Sequence, residues 1–291
     1  MPAVFTLWPF PPPHRLSGVK AAAAGQPHEA VSAGPASAFR GNVEAVGAEP
    51  WAIAGIRLTL FHNTRGTGPG IWEGLTGEPP EQQSLNPRTY TCQESGSFLG
   101  GTLAVAQSPS RYDVTLAPLE PSDAEVRYEY LGNFAQTATG FLEICVPWLT
   151  HQPSPIHRVA FGVTAEIPVA DREAGYQRLA TYLPAVTLSD GASDFLFQIN
   201  RRRPSNSIPG LTLNRLSHWS VRQFVQHLFA MDGAVLHGPT FPFVQSLACR
   251  SQLDVNTAPE RTAPFSADEL INVIQELHSL ASEILEVGDV P

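Results

Sequence analysis

Residues 186–231, VTLSDGASDFLFQINRRRPSNSIPGLTLNRLSHWSVRQFVQHLFAM, decide how the chain is read, because two alternating runs flank a proline- and glycine-bearing loop. Successive side chains of an extended chain point to opposite faces. Residues 194–203 therefore send Phe195, Phe197 and Ile199 one way and Gln198, Asn200 and Arg202 the other. Residues 211–216 set Leu211 and Leu213 against Thr212 and Asn214. If the two runs pair antiparallel across the loop 204–210, opposite residues share a face, and Gln198, Asn200, Arg202, Thr212 and Asn214 converge. The consecutive Arg201, Arg202 and Arg203 are then split between faces. Leu216 departs from the alternation and is read as the point where the strand leaves the sheet. A helix capped by Ser217 or Ser220 is expected next, with Val221, Phe224, Val225, Leu228 and Phe229 as its apolar stripe and Gly233 at its end.

The same alternation recurs outward from this block. Residues 51–62 place Ile56, Leu58 and Leu60 opposite Arg57 and Thr59, and residues 156–167 place Val159, Phe161, Val163 and Ile167 opposite Arg158, Thr164 and Glu166. Residues 246–257 set Leu247, Cys249, Leu253 and Val255 against Arg250, Gln252, Asp254 and Asn256. Residues 89–107 and 111–116 read as two further strands joined as a hairpin, and a short strand is expected over 3–8. Residues 63–87, rich in Gly, Pro, Glu and Asn, read as loop.

Helical spacing of Phe134, Ala138, Phe141, Leu142 and Cys145 predicts a helix within 132–150, with Pro147 interfering near its end. Asp171 is placed to cap a second helix running to about Leu183, where Pro184 stops it. Ser266 and Glu269 form a capping-box pattern ahead of a long stripe, Leu270, Ile271, Ile274, Leu277, Ala281, Ile284 and Leu285, that Gly288 terminates. Alternating strands without long apolar runs favour an α+β fold: a mostly antiparallel or mixed sheet with helices on one face, including the long C-terminal helix. No repeat of fixed period is visible.

Composition bounds the rest. At 291 residues and 43% apolar, the chain is long enough for one sizeable core, read as a single α+β domain over 1–291. Residues 18–50, poor in large apolar residues, read as an Ala/Gly/Pro-rich loop or arm, with a soft division near 150–155. A net charge of −9 argues against general affinity for duplex DNA, which needs cations to replace condensed counterions. Three widely spaced cysteines, Cys92, Cys145 and Cys249, indicate neither a zinc knuckle nor a disulfide framework, and reduced thiols in a cytoplasmic protein are expected. The N-terminal MPAVFTLWPFPPPHR lacks a basic stretch before its short apolar run, so no signal peptide is expected, and no window is apolar enough for a membrane span.

Catalytic signatures are weak. GTGPG at 66–70 is followed by Ile71 and Trp72 rather than the Lys-Ser/Thr of a phosphate loop. Ser193, Ser217 or Cys249 with His218 or His157 and Asp190, Asp194 or Asp254 would supply a hydrolase trio, although no G-x-S-x-G elbow surrounds any serine. His227 and His237 stand ten residues apart without metal-ligand spacing, and no metal or cofactor is expected.

The leading expectation is a noncatalytic binding or accessory protein. It recognises a protein or peptide through a polar sheet face built from Gln198, Asn200, Arg202, Asn214, Arg215, Arg250, Asp254 and Asn256. Arginine forks match carboxylate oxygens, and amides pair with peptide groups. An ordinary solvated face with Arg250 and Asp254 as an ion pair is the plain counterpart. A hydrolase is the first alternative. The second is an RNA-binding accessory protein using the arginines, for which Trp219 is the one stacking aromatic nearby.

Overall fold

The computed structural model describes residues 51–63, 68–119, 129–151, 155–187, 191–226, 231–232, 235–236 and 244–290. The strand expected over 3–8, the arm over 18–50, positions 152–154 of the soft division, and Asp190, His227 and His237 lie outside them.

The strands are β1 (Ala52–His62), β2 (Gln82–Asn86), β3 (Thr91–Phe98), β4 (Gly101–Ser108), β5 (Arg111–Pro118), β6 (Ile156–Val169), β7 (Leu196–Pro204), β8 (Thr212–Gln226) and β11 (Val244–Thr257). They form one nine-stranded sheet in the order β2-β3-β4-β5-β1-β6-β11-β8-β7, antiparallel throughout. A separate two-stranded ladder joins β9 (Met231–Asp232) to β10 (Val235–Leu236). The helices are α1 (Ile71–Thr76), α2 (Phe134–Leu149), α3 (Arg172–Ala180) and α4 (Ala267–Val287). The fold is α+β, with the C-terminal helix the longest.

All four helices pack on the same side of the sheet. The ring of Trp72 in α1 lies where a side chain at Gly96 of β3 would stand, and Gly175 of α3 sits against Val221 of β8. His278 of α4 stacks on Phe134 of α2 at 5.2 Å and meets Phe161 of β6 edge-on at 6.1 Å. The core is the alternate residues on that side, including Ile56, Leu58, Leu60, Val114, Leu116, Phe161, Val163 and Leu213, packed on Phe141, Ile274, Leu277 and Ala281. The capping box is present, with the Glu269 N–H donating to Ser266 Oγ and the Ser266 N–H to Glu269 Oε2. Asp171 caps α3 by accepting from the Ala174 N–H.

Two halves with the same order of elements meet at the centre of the sheet. Apart from the edge strand β2 after α1 and the small β9-β10 ladder after β8, the first runs β1, α1, β3, β4, β5, α2 and the second β6, α3, β7, β8, β11, α4. Outward from the centre the strands run β1-β5-β4-β3 on one side and β6-β11-β8-β7 on the other. Antiparallel pairing of β1 with β6 joins the halves, with Arg57 opposite Gly162. The correspondence is topological, and the sequence carries no fixed period to announce it.

Several expectations are corrected. The segment after Leu216 is not a helix: β8 runs on to Gln226, paired with β11 residue by residue from Leu213 opposite Thr257 to Gln226 opposite Val244. Neither Ser217 nor Ser220 is a cap, and Leu216 does not leave the sheet. The helical spacing of Val221, Phe224 and Val225 is overridden by the continuous pairing with β11. Residues 89–107 divide into β3 and β4 around Leu99 and Gly100, both at positive φ as a tight hairpin turn requires. The 63–87 loop holds α1 and the edge strand β2. Pro147 lies inside α2, two residues from its end.

Candidate functional site

The face of the sheet turned away from the helices carries the polar side of every strand. Register places Gln198, Asn200 and Arg202 of β7 beside His218, Leu216 and Asn214 of β8, and these beside Gln252, Asp254 and Asn256 of β11. Further in, Arg250 lies opposite Glu166 of β6, and Thr59 and Arg57 of β1 lie opposite Ala160 and Gly162.

A chain of amides crosses three strands. Asn200 Nδ2 donates to Asn214 Oδ1 at 3.2 Å, Asn214 Nδ2 to Asn256 Oδ1 at 2.9 Å, and Asn256 Nδ2 to Asp254 Oδ1 at 2.9 Å. Arg158 of β6 adds a donor to Asn256 Oδ1 at 3.3 Å. Asn214 and Asn256 are buried, so these bonds fix their orientation before any ligand arrives. Arg250 pairs with Glu166, a carboxylate only 2% exposed that also accepts from Tyr130 Oη. Asp254, the expected partner of Arg250, serves Asn256 instead.

At the outer edge Arg202 pairs with Glu260 at 2.6 Å beside a shallow depression of about 360 Å³ that Gly210, Thr212, Ala258 and Arg261 help to line. The guanidiniums of Arg222 and Arg250 flank the Phe224 ring at 5.4 and 5.6 Å. Burial, and secondarily Arg250, hold the His218 imidazole below its ordinary pKa, so it adds no positive charge near neutral pH.

Of the residues expected on this face, Gln198, Asn200, Arg202, Asn214, Arg250, Asp254 and Asn256 share it. Arg215 does not. It projects to the helix side, 2% exposed, and donates to Glu283 of α4 at 3.3 Å and to the Val290 carbonyl. Arg201 and Arg203 point the same way, Arg201 pairing with Asp289 at 2.9 Å and Arg203 with Glu283 at 3.2 Å. Sequence reasoning assigns Arg57, Arg158 and Glu166 to the polar sides of their own strands but leaves them out of the site. Only the order β1-β6-β11 joins them to it.

Of the groups named for a hydrolase, Ser217 and Cys249 are on the opposite side of the sheet from His218, while Asp254 shares its face. Ser217 and His218 project to opposite faces of β8, and Cys249 lies on the helix side, donating to the Gly175 carbonyl. Burial pushes the Cys249 thiol up to about 12, raises that of Cys145 further, and raises that of Cys92 with help from Glu94. Since the thiolate is the nucleophile, the native protein at pH 8 is expected to leave all three thiols unmodified by iodoacetamide while the denaturant-unfolded chain takes up three equivalents, as counted by intact mass. Rapid native alkylation of Cys249 would contradict this placement.

Among the described residues no group of three His, Cys, Asp or Glu side chains is arranged to hold a metal ion, and no helix is long and apolar enough to cross a membrane. No family model, curated protein or solved structure matches this chain. The site's own geometry therefore carries the functional reading.

Proposed function

We propose that the protein is a noncatalytic binding protein that takes an extended acidic segment of a protein partner on the helix-free face of its sheet. The observation that carries this reading is a local reversal of charge. The whole chain is at −9, yet among the described residues Arg57, Arg111, Arg158, Arg202, Arg222 and Arg250 lie on this face, outnumbering the carboxylates of Asp113, Glu166, Asp254 and, at its edge, Glu260. A cationic surface steers anionic partners toward it. The amide chain orients its exposed end, Asn200, toward a partner backbone, and a strand surface suits an extended segment better than a compact ligand. The reading places the protein in the cytoplasm, where its thiols stay reduced.

Fluorescence anisotropy with fluorescein-labelled hexaglutamate at low salt tests it. Reversing two exposed cations, Arg202→Glu with Arg222→Glu, is expected to weaken binding by about thirtyfold or more. Arg172→Glu, on exposed α3, serves as the helix-side control and is expected to change it less than about twofold. Equal losses in the two variants would count against the face, and tighter capture of oligouridylate than of hexaglutamate would favour RNA instead.

A further inference from the structure

Arg57 is the one guanidinium on this face whose position serves no described partner. Its Nε is buried without a hydrogen bond. Neither of the carboxylates nearest in register pairs with it: Asp113 accepts from Thr59 Oγ1 at 2.6 Å and pairs with Arg111 at 2.6 Å, while Asp254, opposite Gly162 on the far side, accepts from Asn256 through Oδ1. The residue sits at the seam between the two halves, opposite Gly162 of β6 on one side and Thr115 of β5 on the other. The guanidinium lies over Gly162: a Cβ there would be in ordinary van der Waals contact with it, 3.4 Å from Nη2 and 3.5 Å from Nε, so a larger side chain would compete for its space. A glycine in the middle of a central strand weakens the strand and marks a place where another group approaches the backbone closely. Here that group is an arginine side chain laid over the seam, with Asp254 of β11 next in the same row beyond Gly162.

Resting on the function proposed above, we propose that Arg57, lying over Gly162, is the point where a carboxylate of the bound acidic segment is held. A guanidinium with unused N–H groups in a partly desolvated position meets a carboxylate with charge-assisted hydrogen bonds, stronger than the neutral amide contacts around it. Burying an unsatisfied donor is unfavourable to the free fold, so the arrangement makes chemical sense when an acceptor arrives from outside. Gly162 then acts as a positioning residue, keeping the cation flat against the sheet and its outer edge presented to the ligand.

The test uses the full chain with fluorescein-labelled hexaglutamate and, as a second probe, oligouridylate of equal charge. Arg57→Gln is expected to weaken hexaglutamate binding about tenfold while the melting temperature stays equal to or above the parent's. Arg57→Lys retains the charge without the fork and is expected to lose about threefold. Gly162→Val, a residue strands favour, fills the space that the guanidinium occupies and is expected to lose binding comparably to Arg57→Gln.

Parent-like binding by both Arg57→Gln and Gly162→Val, with Arg222→Gln weakened, would remove Arg57 from the site and leave the face standing. Failure of the parent to bind hexaglutamate would remove both. A steep fall in melting temperature for Arg57→Gln would make its role structural, unless Gly162→Val melts like the parent and still loses binding. Oligouridylate binding that depends on Arg57, without hexaglutamate binding, would overturn the carboxylate assignment.

Discussion

Trp219→Ala is expected to lower stability by about 3–5 kcal/mol, read as a large drop in the urea midpoint with little change in slope. The indole is fully buried at the middle of β8, stacked on Tyr182 at 5.8 Å and meeting Trp51 edge-on at 5.7 Å. Trp51 immediately precedes β1 and Tyr182 follows α3, so these rings tie the first half of the sheet to the helical layer over the second. Truncation leaves a cavity bounded by a sheet on one side and a helix on the other, neither of which collapses easily. The result also checks the strand reading of residues 217–226. A tryptophan at the start of an amphipathic surface helix would cost far less.

Glu283→Ala is expected to cost about 2–4 kcal/mol, whereas Arg215→Met changes stability by less than about 1 kcal/mol. Glu283 is 35% exposed and faces two guanidiniums, Arg203 at the surface and Arg215 at 2% exposure. Burial and the nearby Arg203 already press the Arg215 pKa below its usual value, with Glu283 and Asp289 opposing them. Removing the carboxylate leaves a buried cation with the Val290 carbonyl as its remaining hydrogen-bond partner. Removing the cation leaves a partly exposed carboxylate that retains Arg203. The double variant Arg215→Met/Glu283→Ala should therefore be more stable than Glu283→Ala alone, and thermal melts of the four proteins check it. Simple additivity would mean the two side chains do not interact.

Much of this architecture is legible in the residues. Alternation identifies β1, β6, β7 and β11, and the Ser266/Glu269 box with its apolar stripe identifies α4, because both signals are local and repeated over many positions. The α1 helix escapes notice for the opposite reason. At six residues, bounded by Gly70 and Gly77 in left-handed conformations, it is too short to show a period. Residues 221–225 mislead because their apolar spacing is helical while β11, whose paired residues lie 20 to 28 positions away in sequence, provides a continuous pairing partner.

The site divides the same way. Gln198, Asn200, Arg202 and Asn214 follow from one hairpin, and Asp254 and Asn256 from the next strand inward. Arg57 and Glu166 join them only through a strand order that spans most of the chain. Arg215 is misplaced by the expected helix start: continued alternation from Leu213 sends it to the helix side, where Glu283 neutralises it.

The most direct test of the binding face is a map of contacts. Hexaglutamate carrying a benzophenone photoprobe at its N-terminus, cross-linked to the full chain and located by mass spectrometry, is predicted to mark outward residues of β6, β8, β11 and β7, with His218, Gln252 and Gln198 prominent and marking suppressed by salt. Cross-links confined to α2, α3 or α4, or an unchanged pattern in Arg202→Glu/Arg222→Glu, would contradict it.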